Sequence, residues 1–307
     1  MKLKILGLQP GTFQKGDTIE GYMQKQYDLL EKYAKEHKPY LSVFPEAMTG
    51  PYFGGVKNPK WFDLAETFAD GPTTAKFLKM AKELNTHIVY TIFEKAIEFG
   101  QTAYYNTAGI ISPTRGLIGK YRKTHLPWID TETMHTYEKY YFKPGPSLPV
   151  YKLDNGITVG MLICYDRSFP ETWRSLYLQG AQVICVPACT WGFRGPFFIN
   201  ELRTRSFETH TFTIGLNRAG EEIVEGEEKV RNHFGKTTIM GPMGDIVAGL
   251  EDEPWAGVCA EVDLNDIYAA STLMPYKRDR RPELYGIVTA YGANFGEQYF
   301  ANCDEMM

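Results

Sequence analysis

The chain has 307 residues, 43% of them hydrophobic, and a formal net charge of −4, a balance that excludes a disordered or membrane-embedded class. A slightly acidic chain argues against a nucleic-acid partner, which favours a concentrated basic face, and no run reaches the roughly 18 apolar residues of a membrane span. Five scattered cysteines, with no second pair and no histidine pair at zinc-binding spacing, read as reduced thiols of a cytoplasmic protein with no metal site.

Leu3 to Leu8 reads as a first strand, too short an apolar run for a signal peptide and halted by Pro10. Asp17-Thr18-Ile19-Glu20 predicts a capping box opening a helix whose apolar positions Ile19, Met23, Tyr27, Leu30 and Ala34 recur at helical spacing. Leu41 to Phe44 is a short strand ending at Pro45, Thr74 to Leu84 a helix, and His87 to Phe93 a strand again. Thr107 to Ile111 and Leu117 to Arg122 pair around Ser112-Pro113-Thr114-Arg115-Gly116, and a hairpin turning at Asp154-Asn155-Gly156 leads into the apolar strand Val159 to Ile163. Beyond it come a helix over Glu171 to Leu178, a strand over Val183 to Val186, a helix over Ile199 to Glu208 and a strand over Phe212 to Leu216. Thr237 to Met240, Ile246 to Ala248 and Val258 to Val262 complete the strands. This alternation without a linker or repeat predicts one α/β domain over residues 1–275, with a C-terminal extension over 276–307 packing on the domain or on a partner subunit.

Cys164 ends the apolar strand, and Pro170 sits in the first turn of the helix that follows. A cysteine at such a corner rides on rigid elements and faces a pocket, with backbone N–H groups at hand for an oxyanion. Three further polar residues follow strands where a packed core has no use for them: Glu46, Lys123 with its neighbour His125, and Glu138. Singly, each reads as a solvated strand end. Together they form a set, because attack by a cysteine needs a thiolate, a proton acceptor and a cation or N–H pair for the tetrahedral oxyanion. A carboxylate, an ammonium and a thiol supply all three without metal or cofactor.

Phe44-Pro45-Glu46, Tyr121-Arg122-Lys123-Thr124-His125-Leu126 and Ile163-Cys164-Tyr165-Asp166-Arg167-Ser168-Phe169-Pro170-Glu171 resemble the three blocks of the nitrilase (carbon–nitrogen hydrolase) superfamily, in its order and approximate spacing. Gly180 to Ile184, Asn217-Arg218-Ala219-Gly220 and Arg280 to Tyr285 extend the resemblance over nearly the whole chain. It implies a four-layer α-β-β-α sandwich, assembled as a homodimer or larger homo-oligomer. It also implies that Cys164 is the nucleophile, Glu46 the general base, Lys123 the oxyanion holder together with the Tyr165 N–H, and Glu138 a second glutamate positioning substrate and lysine.

Cys164-Tyr165-Asp166 differs from the Cys-Trp-Glu typical of true nitrilases and resembles the amidase and carbamoylase branches. Arg167 beside the nucleophile suits a carboxylate-bearing substrate. The blocks are most similar to N-carbamoyl-amino-acid amidohydrolases, where an arginine at this position grips the substrate carboxylate and a histidine at the position of His125 lies near the site. Tyr165 and Ser168 replace the asparagine and second arginine usual in the D-specific enzymes, and Thr136 replaces a histidine. Thr190 and Trp191, after a strand, are candidate substrate contacts, and an ion pair of Arg167 with Asp166 or Glu171 is the structural alternative to substrate binding. The expected activity is cleavage of an N-carbamoyl amino acid to amino acid, carbon dioxide and ammonia. The alternatives are an ω-amidase-like or other small-amide hydrolase, a nitrilase, and a fold retained for binding alone.

Overall fold

In the computed structural model, which describes residues 1–290 apart from Thr133 and Glu228, strands and helices alternate through most of the chain. The first half holds β1 (Lys2–Gln9), α1 (Ile19–His37), β2 (Leu41–Val43), α2 (Pro72–Leu84), β3 (His87–Glu98), β4 (Gln101–Ser112), β5 (Gly116–Arg122), β6 (Trp128–Asp130), β7 (His135–Tyr137) and the one-turn α3 (Glu138–Tyr141). The second adds β8 (Val150–Lys152), β9 (Thr158–Met161), α4 (Pro170–Leu178), β10 (Val183–Pro187), α5 (Gly195–Thr209), β11 (Phe212–Leu216), β12 (Ala219–Glu222), β13 (Arg231–Phe234), β14 (Thr238–Met240), β15 (Ile246–Gly249), β16 (Ala256–Asp263) and α6 (Asn265–Leu273).

Two six-stranded sheets form, in the orders β16-β1-β2-β3-β4-β5 and β15-β14-β11-β10-β9-β8. Each has a parallel centre, β1-β2-β3 in one and β9-β10-β11 in the other, with antiparallel strands outside it. The period of two along each strand sorts neighbouring side chains into different layers. Ile5, Val43, Val89 and Ile110 meet Val159, Met161, Val183 and Ile214 between the sheets. Their neighbours Leu6, Ile88 and Ile111 turn outward to Leu30 and Phe77 of α1 and α2. On the far side Leu162, Ile184 and Val186 pack against Trp173, Leu176, Phe198 and Leu202 of α4 and α5. Three apolar interiors therefore separate four layers, α-β-β-α.

The opening of α1 differs from the predicted capping box. Thr18 is the N-cap, its Oγ1 accepting from Gly21 N at 3.0 Å, and glycine at the third helical position leaves no side chain to reach back. Residues 276–290 lie on the outer face: Tyr276 stacks on His210 with ring centroids 5.1 Å apart, and Arg280, Tyr285 and Val288 border a groove against α4. Cys303 and the rest of 291–307 lie outside the described residues. Among the described residues no helix is long and apolar enough to cross a membrane.

Candidate active site

β9 ends at Met161, two residues before the end of the apolar run, because the chain turns there. Cys164 has φ +48°, a left-handed conformation costly for any residue with a Cβ, and starts a 3₁₀ turn over Cys164–Ser168 that leads into α4 at Pro170. Asp166 holds this turn. Its carboxylate accepts from Ile163 N at 2.9 Å, Tyr121 Oη at 2.6 Å, Thr124 Oγ1 at 2.9 Å and His125 N at 2.8 Å. One buried carboxylate thus ties the cysteine turn of the second sheet to the loop after β5 of the first. α4 packs closely on β9, since a Cβ on Gly160 would stand 2.8 Å from Leu176 Cδ1.

Glu46 and Lys123, from the loops after β2 and β5, converge with Glu138, the first residue of α3. Lys123 Nζ lies 2.8 Å from Glu46 Oε1, and 2.8 Å and 2.7 Å from the two carboxylate oxygens of Glu138. All three side chains are buried. Asn106 Nδ2 donates to Glu46 Oε1 at 2.7 Å, the Cys189 N–H donates to Glu46 Oε2 at 2.9 Å, and Tyr52 Oη donates to Glu138 Oε1 at 2.9 Å. Burial opposes the ammonium charge of Lys123, but Glu138 and Glu46 outweigh it and hold the proton well above the ordinary lysine range. Burial raises the Glu138 carboxyl, against Lys123 and in the same sense as Glu46. Two carboxylates share one cation, so keeping a proton in the group avoids an uncompensated buried charge.

Burial, then Glu46, push the Cys164 thiol up to about 11, against Lys123 and Arg167. The resting group is therefore a neutral thiol, which can act as a nucleophile only if a base at hand takes its proton. The first N–H groups of a helical turn have no acceptor within it, which leaves the Tyr165 N–H available beside the sulfur.

A narrow cavity of about 30 Å³ reaches this centre, lined among others by Cys164, Tyr165, Thr190, Trp191, Glu138 and Arg194. Met134 and Trp191 also line a wider outer chamber of about 960 Å³. Tyr165, Thr190 and Trp191 thus stand on the wall of the narrow cavity; Thr190 is held by Asn217 on both backbone groups, and Trp191 packs on Tyr52 at 5.2 Å. His125 is not on the wall: its ring stacks on Phe169 at 3.8 Å and its Nδ1 lies 2.9 Å from Asp166. Arg167 does line the cavity, and its ion pair is with neither Asp166 nor Glu171. Its Nε donates to Glu201 of α5 at 2.8 Å and its Nη1 to the Cys164 carbonyl at 2.8 Å, while Nη2 is buried without a partner. Next to this centre Tyr141 and Phe142 join Phe53 and Phe93 in a small core.

Tyr52, Asn106, Glu201 and the anchoring role of Asp166 escape sequence reasoning, because each acts through a contact formed only when the sheets pack. For Asp166 a signal existed, its place inside the cysteine block. Among the described residues no three His, Cys, Asp or Glu side chains cluster as metal ligands do.

Residues 7–272 match the model of the carbon–nitrogen hydrolases. The chain belongs to the carbon–nitrogen hydrolase family. This hydrolase is 32% identical over 264 residues to an N-carbamoylputrescine amidase of Arabidopsis thaliana, covering 83% of this chain and 85% of the relative. It is 32% identical to a nitrilase of Pyrococcus abyssi, covering 85% and 93%. The crystal structure of a carbon–nitrogen hydrolase from Helicobacter pylori superposes with a TM-score of 0.85 at 24% identity, over 95% of this chain and 99% of that one, so the hydrolase has the nitrilase fold.

Proposed function

We propose that this carbon–nitrogen hydrolase is a cofactor-free thiol amidohydrolase that cleaves N-carbamoyl amino acids to the amino acid, carbon dioxide and ammonia. Cys164 Sγ bonds to the ureido carbonyl carbon while its proton passes to Glu46. Lys123 Nζ and the Tyr165 N–H hold the oxyanion, and Glu138 holds Lys123 in place. As the oxyanion collapses the terminal C–N bond breaks, and Glu46 returns the proton to the departing ammonia. Water deprotonated by Glu46 then attacks the thiocarbamate, Cys164 leaves as the thiol, and the carbamic acid splits into amino acid and carbon dioxide.

The observation that carries the acid specificity is the unpartnered, buried Nη2 of Arg167, a residue that lines the cavity. A donor desolvated without an acceptor costs about 1–3 kcal/mol, a cost that a substrate carboxylate relieves. Arg194 lines the same cavity, and its one hydrogen bond among the described residues is a long one of 3.4 Å to Ser168 Oγ. The relatives named N-carbamoylputrescine amidases favour a second reading, a ureido compound ending in an amine. Against it, Glu225 and Glu227 in the outer chamber are already paired with Lys60 and Arg231. Ammonia release over a panel of N-carbamoyl amino acids, N-carbamoylputrescine, ω-amides and nitriles separates the readings. We expect N-carbamoyl amino acids to lead, and Arg194→Ala to raise their KM about tenfold or more with little effect on neutral amides. A higher kcat/KM for the amine-terminated ureide than for any acid overturns the proposal.

A further inference from the structure

Behind the reaction centre lies a second buried ionic group that the chemistry above does not use. Arg218 precedes β12 and Glu222 ends it; both side chains are fully buried and their ions are 2.8 Å apart. Each points in a direction that matters. Arg218 Nη2 donates to the carbonyls of Ala47 at 2.5 Å and Glu46 at 3.4 Å, and Nη1 to that of Gly50 at 3.3 Å. Ala47, at φ +54°, is the left-handed residue directly after the base. Glu222 Oε2 accepts from the Tyr52 N–H at 3.1 Å, and the Tyr52 hydroxyl is the donor to Glu138. Around the pair, Glu222 Oε1 also accepts from Phe13 N at 3.2 Å, and His233 Nε2 on β13 lies 3.5 Å from Oε2. Burial opposes the Glu222 charge, but Arg218, His233 and Arg231 hold its carboxyl down at about 2.

We propose that the Arg218–Glu222 pair is the positioning element of the reaction centre, setting Glu46 through the carbonyls of its loop and Glu138 through Tyr52. Loop carbonyls at a positive-φ turn have no regular strand or helix to satisfy them, and one planar guanidinium with several donors spans three. The carboxylate opposite pins the same loop five residues after Ala47, at Tyr52 N. A single ion pair therefore fixes both ends of the segment Glu46 to Tyr52, and with it the two carboxylates flanking Lys123. A shift of about 1 Å in such groups costs on the order of 100-fold in rate.

This inference rests on the catalytic reading of Glu46 and Glu138, and its test separates the two. Glu222→Gln keeps the shape but leaves the Arg218 charge uncompensated behind Glu46, which makes a carboxyl there harder to protonate. Glu222→Asp keeps the charge but withdraws the acceptor from Tyr52 N. Both are expected to lower kcat 10- to 100-fold with KM changed less than threefold. Glu222→Gln alone should also move the acid limb of the kcat/KM profile to lower pH, which a loss of stability would not do. If Glu222→Gln does not fold, Glu222→Asp carries the kcat test. A folded variant of either kind with wild-type kcat overturns the positioning role. Cys164→Ala measured in parallel reports on the underlying reading: if it retains turnover, the catalytic assignment fails, whatever the Glu222 variants do.

Discussion

The two ends of the substrate cavity are built on opposite principles. At the inner end Glu46, Lys123 and Glu138 are buried, each charge meets its counter-charge within 2.8 Å, and neutral donors from Asn106, Tyr52 and the Cys189 N–H add hydrogen bonds to Glu46 and to Glu138 Oε1. At the outer end the chamber is wide, and many of its side chains, Lys57, His135 and Glu225 among them, are exposed or partly so. The inner end is compact and charge-compensated; the outer end is open and largely exposed. The two ends therefore respond differently to mutation, which can be used to test where one stops and the other starts.

The sharpest test removes the nucleophile. Cys164→Ala is expected to lower kcat by about 10⁴-fold or more while the fold survives, read from ammonia release and circular dichroism; turnover near wild type would mean that the inner end does something else. Lys123→Met removes the cation shared by two carboxylates. It should cost about 10²–10³ in kcat through loss of the oxyanion donor and destabilise the fold by ~3–5 kcal/mol by leaving buried carboxylates unpaired. Denaturant unfolding should show that loss diminishing as pH falls from 8 to 5, because protonated carboxyls no longer need the partner. A stability loss independent of pH would show that the ammonium is not compensating charge. The smallest effect concerns the thiol itself. With Cys164 held near 11, its alkylation by iodoacetamide in the free enzyme should accelerate about tenfold per pH unit between pH 7 and 10. A plateau below pH 8 would show a resting thiolate and erase the need for Glu46 in the first step.

The same division governs what was legible in the sequence. Apolar runs bounded by glycine and proline marked most strands of the two large sheets, because the central strands are buried on both faces. Glu46, Lys123, Glu138 and Cys164 stood out as polar residues where apolar runs stop. The pieces left unread were the short polar ones, β6 and β7, β12 and β13, and α3, which are three or four residues long and carry no apolar period to detect. Helix α6 was missed for a related reason: apart from Ala270 its residues are exposed or half-buried, so little of it repeats at core spacing. His125 stands off the cavity wall because its ring packs on Phe169 and its Nδ1 faces Asp166, contacts that the sequence does not display. Arg167 misled about its partner, since Glu201 is 34 residues away in sequence and only the packing of α5 brings it near.

Cys164 follows a strand of one sheet, while Glu46 and Lys123 follow strands of the other. The separation of Cys164 from Glu46 and Lys123 is consequently set by the thickness of the apolar layer formed by residues such as Val43, Val89, Met161 and Ile214. This makes the molecule a gauge of its own interior. A methylene gained or lost in that layer, far from the three polar side chains, alters the gap between them as a spacer alters a hinge. Drift of these residues over evolutionary time should therefore proceed by paired, volume-conserving exchanges across the two sheets, even where stability alone would tolerate a single change.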